Sequence, residues 1–411
     1  MPRRIFSHLK DKTDTMSAYL PYESVYYERI ADYYNIVKFA MLALLAVFVL
    51  AVAIFCNQDL RAENFKYLFK YIDVDPVATS SNYNDIYYNS NEKTVFAFYK
   101  GDLAVIGDGK LKLYNIAGNN ILDEKLESEN AVCDADGKYL VLYYPGENTL
   151  SVYNSFSKLY GITYDYPVIS ASAGENGSFA VITREASYRS AVYIYNSTFK
   201  SVYTWRSNEK YAVSAAVSPD GKNAAVLTYA KHDGTYMREL AVRNISKDKS
   251  VLTVSSEGGI PLKAGFFAGG RLYCLFSDGI VFYNKDFEQT EKISFSEEIQ
   301  FFRAFSDGIV TVTGKTKADC KVSFYGSDGE KKLTKSFQYP VLDVNMIDDN
   351  IYLLTDTGIY RYNENGLACA PVQSGAGKMF LFDDGNVLLC YSERTVLVDK
   401  TDFAEINSEN N

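Results

Sequence analysis

The run KAGFFAGGRLYCLFSDGIVFYNKDFEQTEKISF, Lys263–Phe295, writes four short apolar strands in one line. Turns separate them at Gly269-Gly270, at Ser277-Asp278-Gly279 and after Asn284. Gly-Gly and Asp-Gly supply the positive φ of tight hairpins, so the run reads as an up-and-down antiparallel sheet. Its third strand ends in Tyr283-Asn284, and this aromatic-Asn ending recurs as Tyr114-Asn115, Tyr153-Asn154, Tyr195-Asn196 and Tyr362-Asn363. Arg243-Asn244, Tyr325-Gly326 and Val398-Asp399 stand at the same place in their units. The eight copies lie 36 to 48 residues apart, about 41 on average, which is the length of a four-stranded propeller blade.

The rest of each unit agrees. Further Asp-Gly or Asn-Gly turns stand at Asp108-Gly109, Asp136-Gly137, Asn176-Gly177, Asp220-Gly221, Asp307-Gly308 and Asp384-Gly385. A parallel solenoid also repeats, but with shorter units and no hairpin between successive strands, so a radial ring fits better. The expected fold class is all-β: an eight-bladed β-propeller, with seven blades as the alternative, behind one N-terminal transmembrane helix. The blades are expected at 93–128, 129–166, 167–207, 208–257, 258–296, 297–338, 339–374 and 375–403. In each, the repeated aromatic packs between blades and the Asn caps a turn through its side chain.

A ring must close. The stretch NDIYYNSNEKTVFAFY, Asn84–Tyr99, parallels EKISFSEEIQFFRAF, Glu291–Phe305, in which an outer strand leads into the next inner strand. Asp85–Tyr88 is therefore expected to supply the outermost strand of the last blade. Asp402–Asn407 is the rival, and the N-terminal choice leaves no open edge at the seam.

Composition sets bounds on chemistry. The 411 residues carry a net charge of −9 and no long basic block, which removes nucleic acid as a main partner. Tyr and Phe number 35 and 25 against one Trp, a balance that suits pleated surfaces. Two histidines, His8 and His232, rule out multi-His metal sites, and one Trp cannot build the Trp-rich repeats of quinoprotein propellers. Cys56, Cys133, Cys274, Cys320, Cys369 and Cys390 form no CxxC pair and read as small core residues. No GxSxG, P-loop or dinucleotide fingerprint is present, and no cofactor is expected. Asp134-Ala135-Asp136-Gly137 lacks the later Glu of a calcium loop and reads as a hairpin turn. Opposed carboxylates across a propeller cavity would lie on different blades, so no catalytic pair can be singled out.

Phe39–Cys56 reads FAMLALLAVFVLAVAIFC, without charge or proline, and with Ile36 and Val37 is long enough to cross a bilayer. The polar segment ahead of it is too long for a cleaved signal peptide, and Phe55 before Cys56 does not suit a lipoprotein signal. Arg29 and Lys38 on one side nearly balance Arg61, Lys66 and Lys70 on the other. An early single span before a long globular domain reads as an uncleaved signal anchor in the cytoplasmic membrane, N-terminus inside and propeller outside. The expected division is a Tyr-rich cytoplasmic tail at 1–35, the span at 36–57, an amphipathic helix and linker at 58–82, the propeller at 83–404 and a disordered tail at 405–411. In the linker Phe65, Leu68, Phe69 and Ile72 fall at helical spacing.

The runs SVYNSFSKLYGITYDYPVISASAGENGSFAVIT (Ser151–Thr183), YRSAVYIYNSTFKSVYTW (Tyr188–Trp205) and KYAVSAAVSPDGK (Lys210–Lys222) carry a resemblance. The chain resembles an uncharacterised family of single-pass membrane proteins of clostridial Gram-positive bacteria with a WD40-like, propeller-like extracytoplasmic region. That resemblance implies architecture and compartment and transfers no site residues.

The fourth unit is the irregular one, because YAKHDGTYMREL lengthens a hairpin. Lys231, His232, Asp233, Tyr236 and Arg238 are the expected contact surface, since an insertion confined to one blade is where function collects. The expected function is a non-enzymatic, membrane-anchored module that binds or scaffolds another envelope protein. A sensor binding a small molecule or glycan in the central funnel is the alternative, and a carboxylate-dependent hydrolase or lyase the third.

Overall fold

A computed structural model of the chain describes residues 22–55 and 78–406, apart from 92, 136, 137, 233, 348, 364 and 365. The expected amphipathic helix of the linker, Cys56, Asp233 and most of the first 35 residues lie outside the described residues.

Turn chemistry acts where the sequence placed it. Asp108 and Gly109 sit at φ 51° and 67° between the second and third strands of blade 1. Asp278-Gly279 and Asp307-Gly308 work differently: each glycine is the first residue of a strand, without positive φ. A Cβ there would meet the Ile293 or Tyr325 carbonyl oxygen at 2.2 or 2.4 Å, so close strand approach selects these two glycines.

The aromatic-Asn pair has the expected double role. The side-chain oxygen of Asn154 accepts from the amides of Phe156 and Ser157, and Asn196 and Asn284 cap their turns likewise. Where the unit has Tyr325-Gly326, Asp328 takes over by accepting from the Glu330 amide, and in the last unit Asp399 accepts from Thr401. Tyr114, Tyr153, Tyr195, Tyr283, Tyr325 and Tyr362 are all buried.

Eight antiparallel sheets result among the described residues, each a meander in chain order apart from a fifth strand added to blade 7. Blades 1 to 6 have four strands, blade 7 gains a fifth and blade 8 has three of its own. Their hydrophobic residues gather into eight clusters, one at each junction between consecutive blades, the last joining blade 8 to blade 1 through Phe380 and Phe382 against Leu103 and Val105. Phe98 stacks on Phe380 across that seam with ring centroids 5.4 Å apart. An eight-bladed ring, not a seven-bladed one or a solenoid, is the fold.

The N-terminal segment closes it. Tyr87 bridges Arg394 in antiparallel fashion, the Tyr88 amide donates to Glu393 and the Thr395 amide donates to Ile86, both at 3.0 Å. The rival C-terminal stretch pairs elsewhere: Ala404–Ile406 lies along Gly366–Pro371 as the fifth strand of blade 7. Ordered strand thus runs to Ile406, two residues into the segment expected to be a disordered tail.

The N-terminal helix spans Tyr22–Phe55 and forms a unit of its own. It begins ahead of residue 36, so Tyr26, Tyr27, Tyr33 and Tyr34 of the Tyr-rich segment are helical. Its stretch Ile30–Phe48 is long and apolar enough to cross a membrane, and its side chains are exposed.

Candidate functional site

In each blade the inner strand runs toward the turn that leads into the second strand. Turns between first and second strands therefore share one face of the ring, and connections between blades share the other. On the first face the central turns are polar and small, as at Lys100-Gly101, Asn176-Gly177, Asp220-Gly221 and Asp384-Gly385. The chain also enters there: Ala78 and Ser80 donate backbone hydrogen bonds to Asp383 and Asp384.

The opposite face has a different chemistry. Tyr188, Tyr211, Tyr236, Ile260, Tyr339 and Leu342 are exposed on its hairpins and blade connections. On the first face Phe156 is an exception, standing exposed in one outer turn. Exposed aromatics concentrate where blades 3 and 4 meet. Arg189 lies over the Tyr211 ring at 5.1 Å, and Tyr211 pairs across strands with Tyr229. Tyr229 stacks on Tyr236 with centroids 5.0 Å apart, and Lys231 lies over Tyr236 at 5.7 Å. Beside this ladder is a depression of about 360 Å³ lined by Arg184, Tyr188, Arg189 and Tyr211.

The irregular hairpin is thus formed by two ten-residue strands, Asn223–His232 and Thr235–Asn244, that extend past the ring's face. Lys231 and Tyr236 of the expected contact set stand together on it. His232 is the last residue of the first strand, and Asp233 lies outside the described residues. Arg238 is corrected: it is 5% exposed, packs over Phe276 at 3.9 Å and pairs with Asp278 at 2.5 Å. It is two residues nearer the ring than Tyr236, under the connection from blade 4 to blade 5, where its guanidinium also reaches the Gly259 carbonyl.

Burial pushes the Asp278 carboxyl up, but the Gly259 amide and the Arg238 guanidinium outweigh it and hold the group below its ordinary 3.8. A lowered folded value gives stability that is present above 3.8 and lost as pH falls through the folded value. Arg238→Met retains the packing over Phe276 and removes the charge. Its stability, read from urea midpoints between about pH 6 and 3, is expected to fall less steeply with acid than that of the wild type.

The central cavity, of about 690 Å³, is lined from all eight blades. One register position per inner strand provides the ring. Four of these residues are small: Ala97 opposite Ala104, Ser172 opposite Ala180, Ala216 opposite Ala225 and Gly265 opposite Tyr273. The others are Asp134, Arg303, Asn345 and Phe380, opposite Val141, Val310, Tyr352 and Leu388. Inner-strand side chains also clasp the next blade. Asp134 accepts from the Ala173 amide and Ser214 from the Ala264 amide, both at 3.1 Å.

The strongest clasp joins three blades. Asp343 is fully buried in blade 7; it accepts from Lys378 and the Met379 amide of blade 8 at 3.0 and 3.1 Å and pairs with Arg303 of blade 6 at 3.3 Å. Arg303 also donates to the Val344 carbonyl at 2.7 Å. Sequence reading singled out none of these residues. Their signal is two inner-strand positions, the ring position for Arg303 and the one two residues before it for Asp343 and Lys378, visible once the units are aligned.

The sequence profile of a family described as of unknown function, DUF5711, matches residues 76–391. The chain belongs to this family. The match begins ahead of the closing segment and ends inside blade 8, so the DUF5711 domain takes in the seam as well as the ring. No curated protein matches the chain in sequence. In fold, the DUF5711 propeller is similar to Saccharomyces cerevisiae Sqt1, at 9% identity and a TM-score of 0.56, covering 77% of this chain and 98% of that one. It is also similar to the C-terminal WD40 domain of Sif2, at 12% identity and 0.53, covering 77% and 95%. BamB from Moraxella catarrhalis gives 11% and 0.50, covering 76% and 98%. At such identities the likeness shows the propeller fold alone.

Proposed function

We propose that this DUF5711 chain is a non-enzymatic binding module, anchored by its N-terminal helix in the cytoplasmic membrane with the propeller outside, that holds another envelope protein. The observation that carries this reading is the ladder Arg189, Tyr211, Tyr229, Tyr236 and Lys231, with the depression beside it. Tyr and Arg are the residue types that dominate binding hot spots, since they add large contact area and a polar tip at little entropic cost. The cations on either side of the tyrosines favour an acidic rim on the partner.

A membrane-impermeant crosslinker applied to intact cells tests location and surface together. The wild-type chain is expected to capture a defined partner, and Tyr211→Ser with Tyr236→Ser to reduce capture about tenfold or more. Phe156→Ser, on the opposite face, serves as the control and is expected to change nothing. Capture that needs a permeant reagent would place the propeller inside. Equal capture by the tyrosine variant would remove the ladder from the interface.

A further inference from the structure

The cavity wall is not electrically uniform. Blades 1 to 4 contribute two carboxylates to the lining, Asp134 and Glu175, and the small ring residues Ala97, Ser172 and Ala216, whereas blades 5 to 8 contribute three cations, Lys263, Arg303 and Lys378. Lys263, Asp343 and Lys378 occupy one register position in blades 5, 7 and 8, opposite Leu275, Leu354 and Cys390. Arg303 is the ring residue of blade 6.

Holding the blades together does not explain this arc. The clasps at Ala173 and Ala264 need one acceptor each and place no cation in the channel. At blade 7 two cations converge on the single carboxylate of Asp343, and both keep more than a quarter of their side chains exposed. Lys263, half-buried in the same lining, has no ion-pair partner among the described residues. Three cations against the one carboxylate of Asp343 leave the arc with surplus positive charge on one side of a concavity, whose low-dielectric walls focus the field into it.

We infer that the arc formed by Lys263, Arg303 and Lys378 is a binding site for a small polyvalent oxyanion, carrying carboxylate or phosphate groups. Asp343 holds Arg303 and Lys378 in place from behind, so the guanidinium and ammonium are preorganised and lose little entropy on binding. Lys263 completes the site from the neighbouring blade. This site stands apart from the tyrosine ladder and does not depend on the protein-binding reading.

The test is isothermal titration of the full-length chain in detergent with inorganic phosphate, pyrophosphate and citrate, at constant ionic strength. Saturable binding of at least one probe is expected, weakening as salt rises. Lys263→Gln is expected to lower the affinity about tenfold, the loss of one charge-assisted contact. Because Lys263 has no ion-pair partner among the described residues, this variant is expected to melt at the wild-type temperature, so lost binding is not lost folding. Lys249→Gln on the outer strand of blade 4 is expected to leave binding unchanged. Absence of saturable binding with all three probes, or equal weakening by Lys249→Gln, would overturn the assignment.

Discussion

A chain that begins at Asn91 is expected to lose the sharp unfolding transition of one that begins at Ala78, and to self-associate. Two side chains explain the size of the effect. Ile86 and Tyr88 are 1% and 6% exposed, wedged into the cluster that joins blade 8 to blade 1. Their burial alone is worth roughly 4 kcal/mol. Thr395 loses a further set of partners, since its hydroxyl bonds Tyr83 at 2.8 Å and accepts from the Ile86 amide at 3.1 Å. Without the segment, the strand Thr395–Val398 becomes an open edge, and an open edge recruits another chain. The matched comparison removes residues 404–411 instead. Ala404–Ile406 is an exposed fifth strand on blade 7, so its loss is expected to cost less than about 1 kcal/mol. Urea unfolding with light scattering distinguishes the two truncations. If they unfold alike, the N-terminal segment is not what closes the ring.

The same contrast shows which features were readable from the sequence. Blade number was legible because each mark is local: Asn154, Asn196 and Asn284 cap turns two to four residues away, and the Tyr before each fills the adjoining junction. Closure by the N-terminal segment was legible by analogy with Glu291–Phe305, since a strand entering blade 1 resembles any strand entering a blade. The start of the N-terminal helix at Tyr22 was missed because hydropathy marks the apolar stretch, whereas Tyr22–Asn35 contains no Gly or Pro and simply continues the helix. Arg238 departs from the expected contact surface because the insertion is exposed only in part. Only its tip, at Lys231 and Tyr236, leaves the ring, and by Arg238 the strand is again covered by Gly259 and Phe276. The cationic arc was hidden because residues 263, 303, 343 and 378 are brought together by ring geometry alone.

Asp343→Ala is expected to destabilise the propeller by about 3 kcal/mol. Removing one member of a buried pair costs more than the pair contributes, because the partners keep their charge and lose its compensation. Here two cations and the Met379 amide are left behind at once. The value lies at the low end of the usual range because Arg303 and Lys378 are 28% and 29% exposed and regain some water. Asp343→Asn is expected to cost about half as much, since its amide oxygen still accepts from Met379. A loss below about 1 kcal/mol for Asp343→Ala would show that the three-blade junction holds without its carboxylate. The variant also ties stability to the channel. With Asp343 gone, all three cations are uncompensated, so pyrophosphate is expected to raise the unfolding midpoint of Asp343→Ala more than that of the wild type. A carboxylate that only glued blades together would leave both proteins indifferent to the anion. One that holds a cationic site in balance makes the weaker protein the more responsive of the two.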